Sequence, residues 1–109
     1  MTPWTIGLST GCFYKRPIFD VLDAIRDSGF EAIEVCSFPV HLDYHNHEDV
    51  AAAGERIRSL GLRAYSFHAP FADRIDITAM DEAARRVAVE ELLVATEAAA
   101  AMGVENLVL

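Results

Sequence analysis

The sequence predicts an α/β fold: a parallel (β/α) repeat that forms the opening part of a TIM barrel, about three βα units plus a fourth strand. Three observations predict it. Gly29, Gly61 and Gly103 each follow a segment of helical periodicity and each open a short apolar run. The three runs, Phe30-Glu31-Ala32-Ile33-Glu34-Val35, Leu62-Arg63-Ala64-Tyr65-Ser66-Phe67 and Val104-Glu105-Asn106-Leu107-Val108-Leu109, share one pattern: apolar, charged, any, apolar, any, apolar. No glycine-rich phosphate loop follows the first apolar run, since Gly7-Leu8-Ser9-Thr10-Gly11 fits neither G-x-G-x-x-G nor a P-loop; this disfavours a small doubly wound nucleotide-binding sheet.

Each element has a local cause. Trp4 to Ser9 reads as a first strand. A glycine just past a helix takes the left-handed conformation that ends it, having no Cβ to clash. The near-continuous apolar run that follows suits a strand covered on both faces. The first helix is expected from about Pro17 to Ser28, with Pro17 at its first position and Ile18, Val21, Leu22 and Ile25 on one stripe. The second runs from about Glu48 to Leu60, with Val50, Ala53, Ile57 and Leu60 inward and Asn46 or His47 near its cap. The third runs from about Ala79 to Met102; Thr78-Ala79-Met80-Asp81 resembles a capping box, and Glu82 pairs with Arg86 one turn on.

The order β-α-β-α-β-α-β indicates a parallel sheet with right-handed crossovers. Glycine spacings of 32 and 42 residues match barrel repeats. A whole barrel needs roughly 250 residues, so residues 1–109 are read as the N-terminal part of one, truncated in strand 4. Such a piece exposes two sheet edges through which copies could associate.

Composition limits the partners. No run approaches the roughly 18 apolar residues that cross a bilayer, so no membrane partner is expected. Met1-Thr2-Pro3-Trp4 does not begin a secretory signal and two cysteines make no disulfide framework, which points to the cytoplasm. Seventeen acidic residues against nine basic ones, net −8, oppose a nucleic-acid partner.

In a β/α barrel, chemistry sits at the C-terminal ends of strands and in the loops that follow. His68 leaves a strand held by Ala69-Pro70, a position for a ligand or acid/base, or for a capping histidine bonded to backbone. Glu34 lies inside a hydrophobic strand, where a carboxylate needs a partner: substrate, metal or a neighbouring base. Cys12 and Cys36 end adjacent strands as small buried hydrophobes or pocket lining. Phe13, Tyr14 and Phe38 are core or rim, with one available to stack on a sugar ring. His41, His45 and His47 lack the partner spacing of a closed zinc site and read as loop or cap residues. His41 is the exception as a substrate contact, because it follows the second strand closely. Lys15-Arg16 and Arg74 read as solvated charge.

Ile6-Gly7-Leu8-Ser9-Thr10, the Gly29 to Val35 strand and Ser66-Phe67-His68-Ala69-Pro70-Phe71 together resemble the sugar phosphate isomerase/epimerase proteins of the xylose isomerase-like barrel superfamily, which also holds the endonuclease IV type of repair enzyme. The resemblance covers essentially the whole chain. It implies proton transfer between adjacent carbons of a sugar or sugar phosphate, with a metal polarising the oxygens and carboxylates moving the proton. Within that reaction Glu34 and His68 are read from their strand positions as catalytic residues, and Cys12, Phe13, Cys36, Phe38 and His41 as substrate contacts. It also implies a divalent metal (Mn, Mg, Co or Zn) in the complete protein, with His68 as a ligand and most other ligands from later strands, so that this piece alone is expected to be inactive and to hold no metal stably. By repeat register, the position equivalent to His68 in the next strand is the residue after Leu109. The alternatives are an endonuclease IV-like phosphodiesterase on abasic DNA and a non-catalytic interaction module.

Overall fold

The computed structural model describes residues 4–109. Four strands, β1 (Gly7–Ser9), β2 (Ala32–Cys36), β3 (Arg63–His68) and β4 (Asn106–Val108), form one parallel sheet in chain order. Helices α1 (Leu22–Asp27), α2 (His47–Ser59) and α3 (Glu82–Ala101) connect them. The order is the expected one, and β1 and β4 are the sheet's edges. Among the described residues, no helix is long and apolar enough to cross a membrane.

The three glycines perform the expected task. Gly29, Gly61 and Gly103 have φ of 92°, 73° and 72°. At α2, Gly61 N donates to Arg58 O at 3.0 Å and Leu62 N to Ile57 O at 3.1 Å; at α3, Gly103 N donates to Ala100 O and Val104 N to Ala99 O, both at 3.0 Å. These paired bonds satisfy carbonyls that a helix end leaves open, and they aim the chain into the next strand.

One apolar layer lies between the sheet and the helices. Ile18, Val21, Leu22 and Ile25 meet Ile33, Val35 and Phe67 there, with Val50, Ala53 and Ile57 of α2 and Ala95, Ala98 and Ala99 of α3. Each fully buried Ile, Leu or Phe contributes roughly 1.5–3 kcal/mol. Alanines on α3 and Gly54 on α2 let these helices approach closely: a Cβ on Gly54 would stand 3.1 Å from Met102 Cα.

Local boundaries differ from expectation in instructive ways. Pro17 is extended (φ −55°, ψ 140°), a 3₁₀ turn covers Ile18–Asp20, and the α-helix begins only at Leu22. The stripe from Ile18 to Ile25 is buried as expected, but two kinds of helix share it. Helix α3 starts at Glu82, not Ala79, because Asp81 takes the cap: its Oδ2 accepts from Ala84 N at 2.8 Å. Thr78 instead donates its hydroxyl to Asp76 Oδ1 at 2.6 Å, closing a turn before the helix. Asn46 caps α2 as expected, accepting from Glu48 N and Asp49 N at 3.1 Å each. Glu82 and Arg86 pair at 3.2 Å.

Candidate active site

A β-bulge decides what faces the open side of the sheet. β2 and β3 pair Ala32 with Arg63 and Ile33 with Ala64, then Glu34 with Ser66, so Tyr65 is the extra residue. Strict alternation from Ala64 would send Ser66 toward the helices and Phe67 away from them. A one-residue slip exchanges the faces. Phe67 is therefore fully buried in the core, while Ser66 and His68 join Glu34 on the opposite side.

The result is a polar row across the sheet. Ser9 stands opposite Glu34, Glu34 opposite Ser66 and Ser66 opposite Asn106. The next row toward the strand ends is Cys36, His68 and Val108. Cys36 beside His68 agrees with their equal spacing from the preceding glycines. The register of β4 does not follow that spacing: His68 pairs with Val108, two residues earlier than the repeat count places its equivalent. An even offset leaves every side chain on the same face.

Glu34 is half-buried, and its Oε2 accepts the Ser66 hydroxyl at 2.7 Å. Among the described residues no basic side chain pairs with it, so a hydroxyl rather than a cation satisfies the carboxylate. An open hollow of about 900 Å³ lies over this row, lined by Gly7, Ser9, Ala32, Glu34, Tyr65 and Ser66 among others.

His68 closes β3. Its Nδ1 is 2.9 Å from the Ala69 carbonyl, which can only accept, so Nδ1 carries the proton and Nε2 is left as the basic nitrogen. The Phe71 ring lies 5.4 Å away and is largely exposed. Among the described residues no three His, Cys, Asp or Glu side chains converge to hold a metal. Cys36 and His68 are a pair and no more, so these residues do not by themselves fit a divalent-metal centre.

The loop after β1 is a 3₁₀ turn, Thr10–Phe13, which the hydrophobic pattern did not reveal. Ser9 caps it, accepting from Gly11 N at 3.1 Å. Fully buried Thr10 accepts from Cys36 N at 2.9 Å, tying the loop to the end of β2. The only signal for this was the Ser9-Thr10-Gly11 cluster, which is common in turns. Cys12 is exposed on that turn, contrary to the buried role first expected, while Cys36 is half-buried. Phe13 packs on the core margin. Tyr14 and Phe38, both partly exposed, meet edge to face with centroids 5.0 Å apart.

The histidine-rich loop divides. His41 is 2% exposed, with Nδ1 at 2.6 Å from the Arg16 carbonyl. Burial holds its pKa below the ordinary value, against the opposing pull of the Arg16 and Phe13 carbonyls. His45 Nε2 lies 2.6 Å from Glu91, which also accepts the Tyr44 hydroxyl. That bond holds the Glu91 carboxyl below its usual range, while burial and then Glu91 push the Tyr44 phenol upward. This network joins the loop to α3 and was not foreseen. His47 opens α2.

The fold and its polar inner row define the class: a segment of parallel β/α barrel with ionisable groups at its strand ends. Residues 22–109 match the xylose isomerase-like TIM barrel family, and the chain belongs to that family. None of the curated proteins matches the chain. Among solved structures, the chain is similar to a D-psicose 3-epimerase determined in the presence of D-fructose, with TM-score 0.79 and 11% identity over 93% of this chain and 35% of that one. It is also similar to a 3-keto-D-glucoside 4-epimerase from E. coli, with TM-score 0.69 and 22% identity over 96% of this chain and 37% of that one. The chain thus spans a little over a third of each structure, and at these identities the likeness establishes the fold.

Proposed function

We propose that this chain is part of a sugar or sugar-phosphate isomerase or epimerase that moves a proton between adjacent carbons at a carbonyl/hydroxyl pair. The observation that carries the reading is Glu34: a half-buried carboxylate with no basic partner among the described residues, steadied at one oxygen by Ser66 and open toward a hollow on the inner face. A base for C–H proton transfer needs that combination of fixed orientation and a free oxygen. His68 Nε2 supplies a second acid/base or the one nitrogen that these residues would give a divalent metal. The Tyr14–Phe38 pair is the proposed aromatic side for a sugar ring, with Phe13, Cys12 and Cys36 as further proposed lining. The compartment proposed is the cytoplasm, and exposed edges β1 and β4 would serve self-association if they stay unpaired.

The test uses the full-length protein with Mn²⁺, Mg²⁺, Co²⁺ or Zn²⁺ and a ketose panel that includes D-fructose. Deuterium from solvent is expected to enter the sugar at the carbon beside the carbonyl. No exchange and no metal uptake would count heavily against the reading. The alternative, cleavage of abasic DNA, is disfavoured by the net charge of −8; cleavage of an abasic duplex would revive it.

A further inference from the structure

Two loops leave the same end of the sheet, residues 10–17 after β1 and 37–46 after β2. The Thr10–Cys36 bond and the Tyr14–Phe38 ring contact hold these ends together, and His41 adds two hydrogen bonds across them. Its backbone carbonyl accepts from Ile18 N at 2.9 Å, and its Nδ1 reaches the Arg16 carbonyl at 2.6 Å. Between these two partners lies Pro17, which has no N–H to offer. Although the Pro17 carbonyl accepts from Asp20 N at 3.0 Å, the loop opposite supplies the partners of Arg16 O and Ile18 N on either side of it. His41 in turn is held by its own N–H, which donates to Phe38 O at 2.9 Å.

The ring is enclosed. His41 is 2% exposed, and its Nε2 is buried without a hydrogen-bond partner among the described residues. A carbonyl accepts only, so the proton sits on Nδ1. Nε2 has no surface through which to meet a sugar.

We propose that His41 is a positioning residue: its Nδ1–H on the Arg16 carbonyl fixes the loop after β1 against the loop after β2, and so presents the Tyr14–Phe38 pair as a preset wall beside the C-terminal ends of those strands. The wall's use for a sugar rests on the isomerase/epimerase reading; the tether does not. Burial that favours the neutral ring agrees with a single proton on Nδ1.

Trypsin tests the tether in the full-length protein, because exposed Lys15 lies within the pinned loop. An asparagine amide nitrogen overlays Nδ1, and a glutamine one overlays Nε2. His41→Gln is expected to speed cleavage after Lys15 about tenfold, while His41→Asn stays within about twofold of wild type and cleavage after Arg58 and Arg85 is unchanged in both. The proposal is overturned if Gln preserves and Asn loses protection, if Lys15 cleavage changes in neither, or if all sites speed up together. Should a variant fail to fold, the long-range ¹H–¹⁵N spectrum of the wild type decides: an Nδ1–H tautomer at His41 supports the tether, and an Nε2–H tautomer overturns it. With D-fructose and Mn²⁺, His41→Gln is expected to raise KM about tenfold with kcat within about twofold; a fall in kcat at unchanged KM overturns the positioning role. If wild type itself shows no turnover, the functional reading fails, and the trypsin and spectral results still decide the tether.

Discussion

The two faces of β2 and β3 do different work with the same backbone. Toward the helices, Ile33, Val35, Ala64 and Phe67 are buried in one apolar cluster. Toward the open side, Glu34, Ser66 and His68 stand one residue away from those same positions. The first face is dispersion and burial; the second is a hydrogen-bonded carboxylate beside a hollow. Stability and chemistry are therefore separable here by a single step along the chain, and substitutions on one face should leave the other largely unchanged.

The largest effect should come from the helix-facing side. Phe67→Ala removes the largest fully buried side chain and should cost about 3–5 kcal/mol in urea unfolding. A cost below about 1 kcal/mol would break the division of faces. On the inner side, Glu34→Gln should lower deuterium exchange into the ketose at least about 100-fold, while the unfolding free energy changes by less than about 1 kcal/mol. Equal losses of stability and rate would mean that Glu34 is structural. Away from both faces, Asn46→Ala removes an acceptor used by two helix N–H groups and should cost about 1 kcal/mol by thermal unfolding.

The smallest effect is in pH. His41 titrates below its ordinary 6.5 in the folded protein, so between that value and 6.5 the unfolded chain binds more protons. Stability is then full above about pH 6.5 and is lost as pH falls toward the folded value. His41→Asn, which does not titrate, should flatten this part of the stability–pH curve. Slopes at lower pH belong to carboxylates held below their usual range, Asp76 and Glu91 among them, whose contribution is present above the unfolded carboxylate range and lost as pH falls through the folded value.

Much of this architecture was legible in the sequence. Gly29, Gly61 and Gly103 marked every helix-to-strand junction, because a left-handed residue after a helix is a local demand that glycine meets alone at little cost. The end of β3 was legible for the same reason, and His68 stands there. Glu34 was conspicuous as a charge in an apolar strand. Its partner was not, since a hydroxyl 32 positions away has no local signature. The start of α3 was misjudged because Thr78 and Asp81 both suit a cap, and only competition from Asp76 for Thr78 separates them. Cys12 was expected to be buried because its type usually is, yet the 3₁₀ turn that exposes it depends on Thr10 reaching Cys36 N.

By itself the sequence determined the alternation of strands and helices, the parallel sheet and the C-terminal ends of the helices, all of which follow from periodicity and single-residue backbone preference. The tertiary structure alone decided the bulge at Tyr65, the burial of His41 between two loops and the slip of β4 against β3. Those depend on which distant groups satisfy one another's hydrogen bonds once the core has closed, and no local pattern encodes that choice.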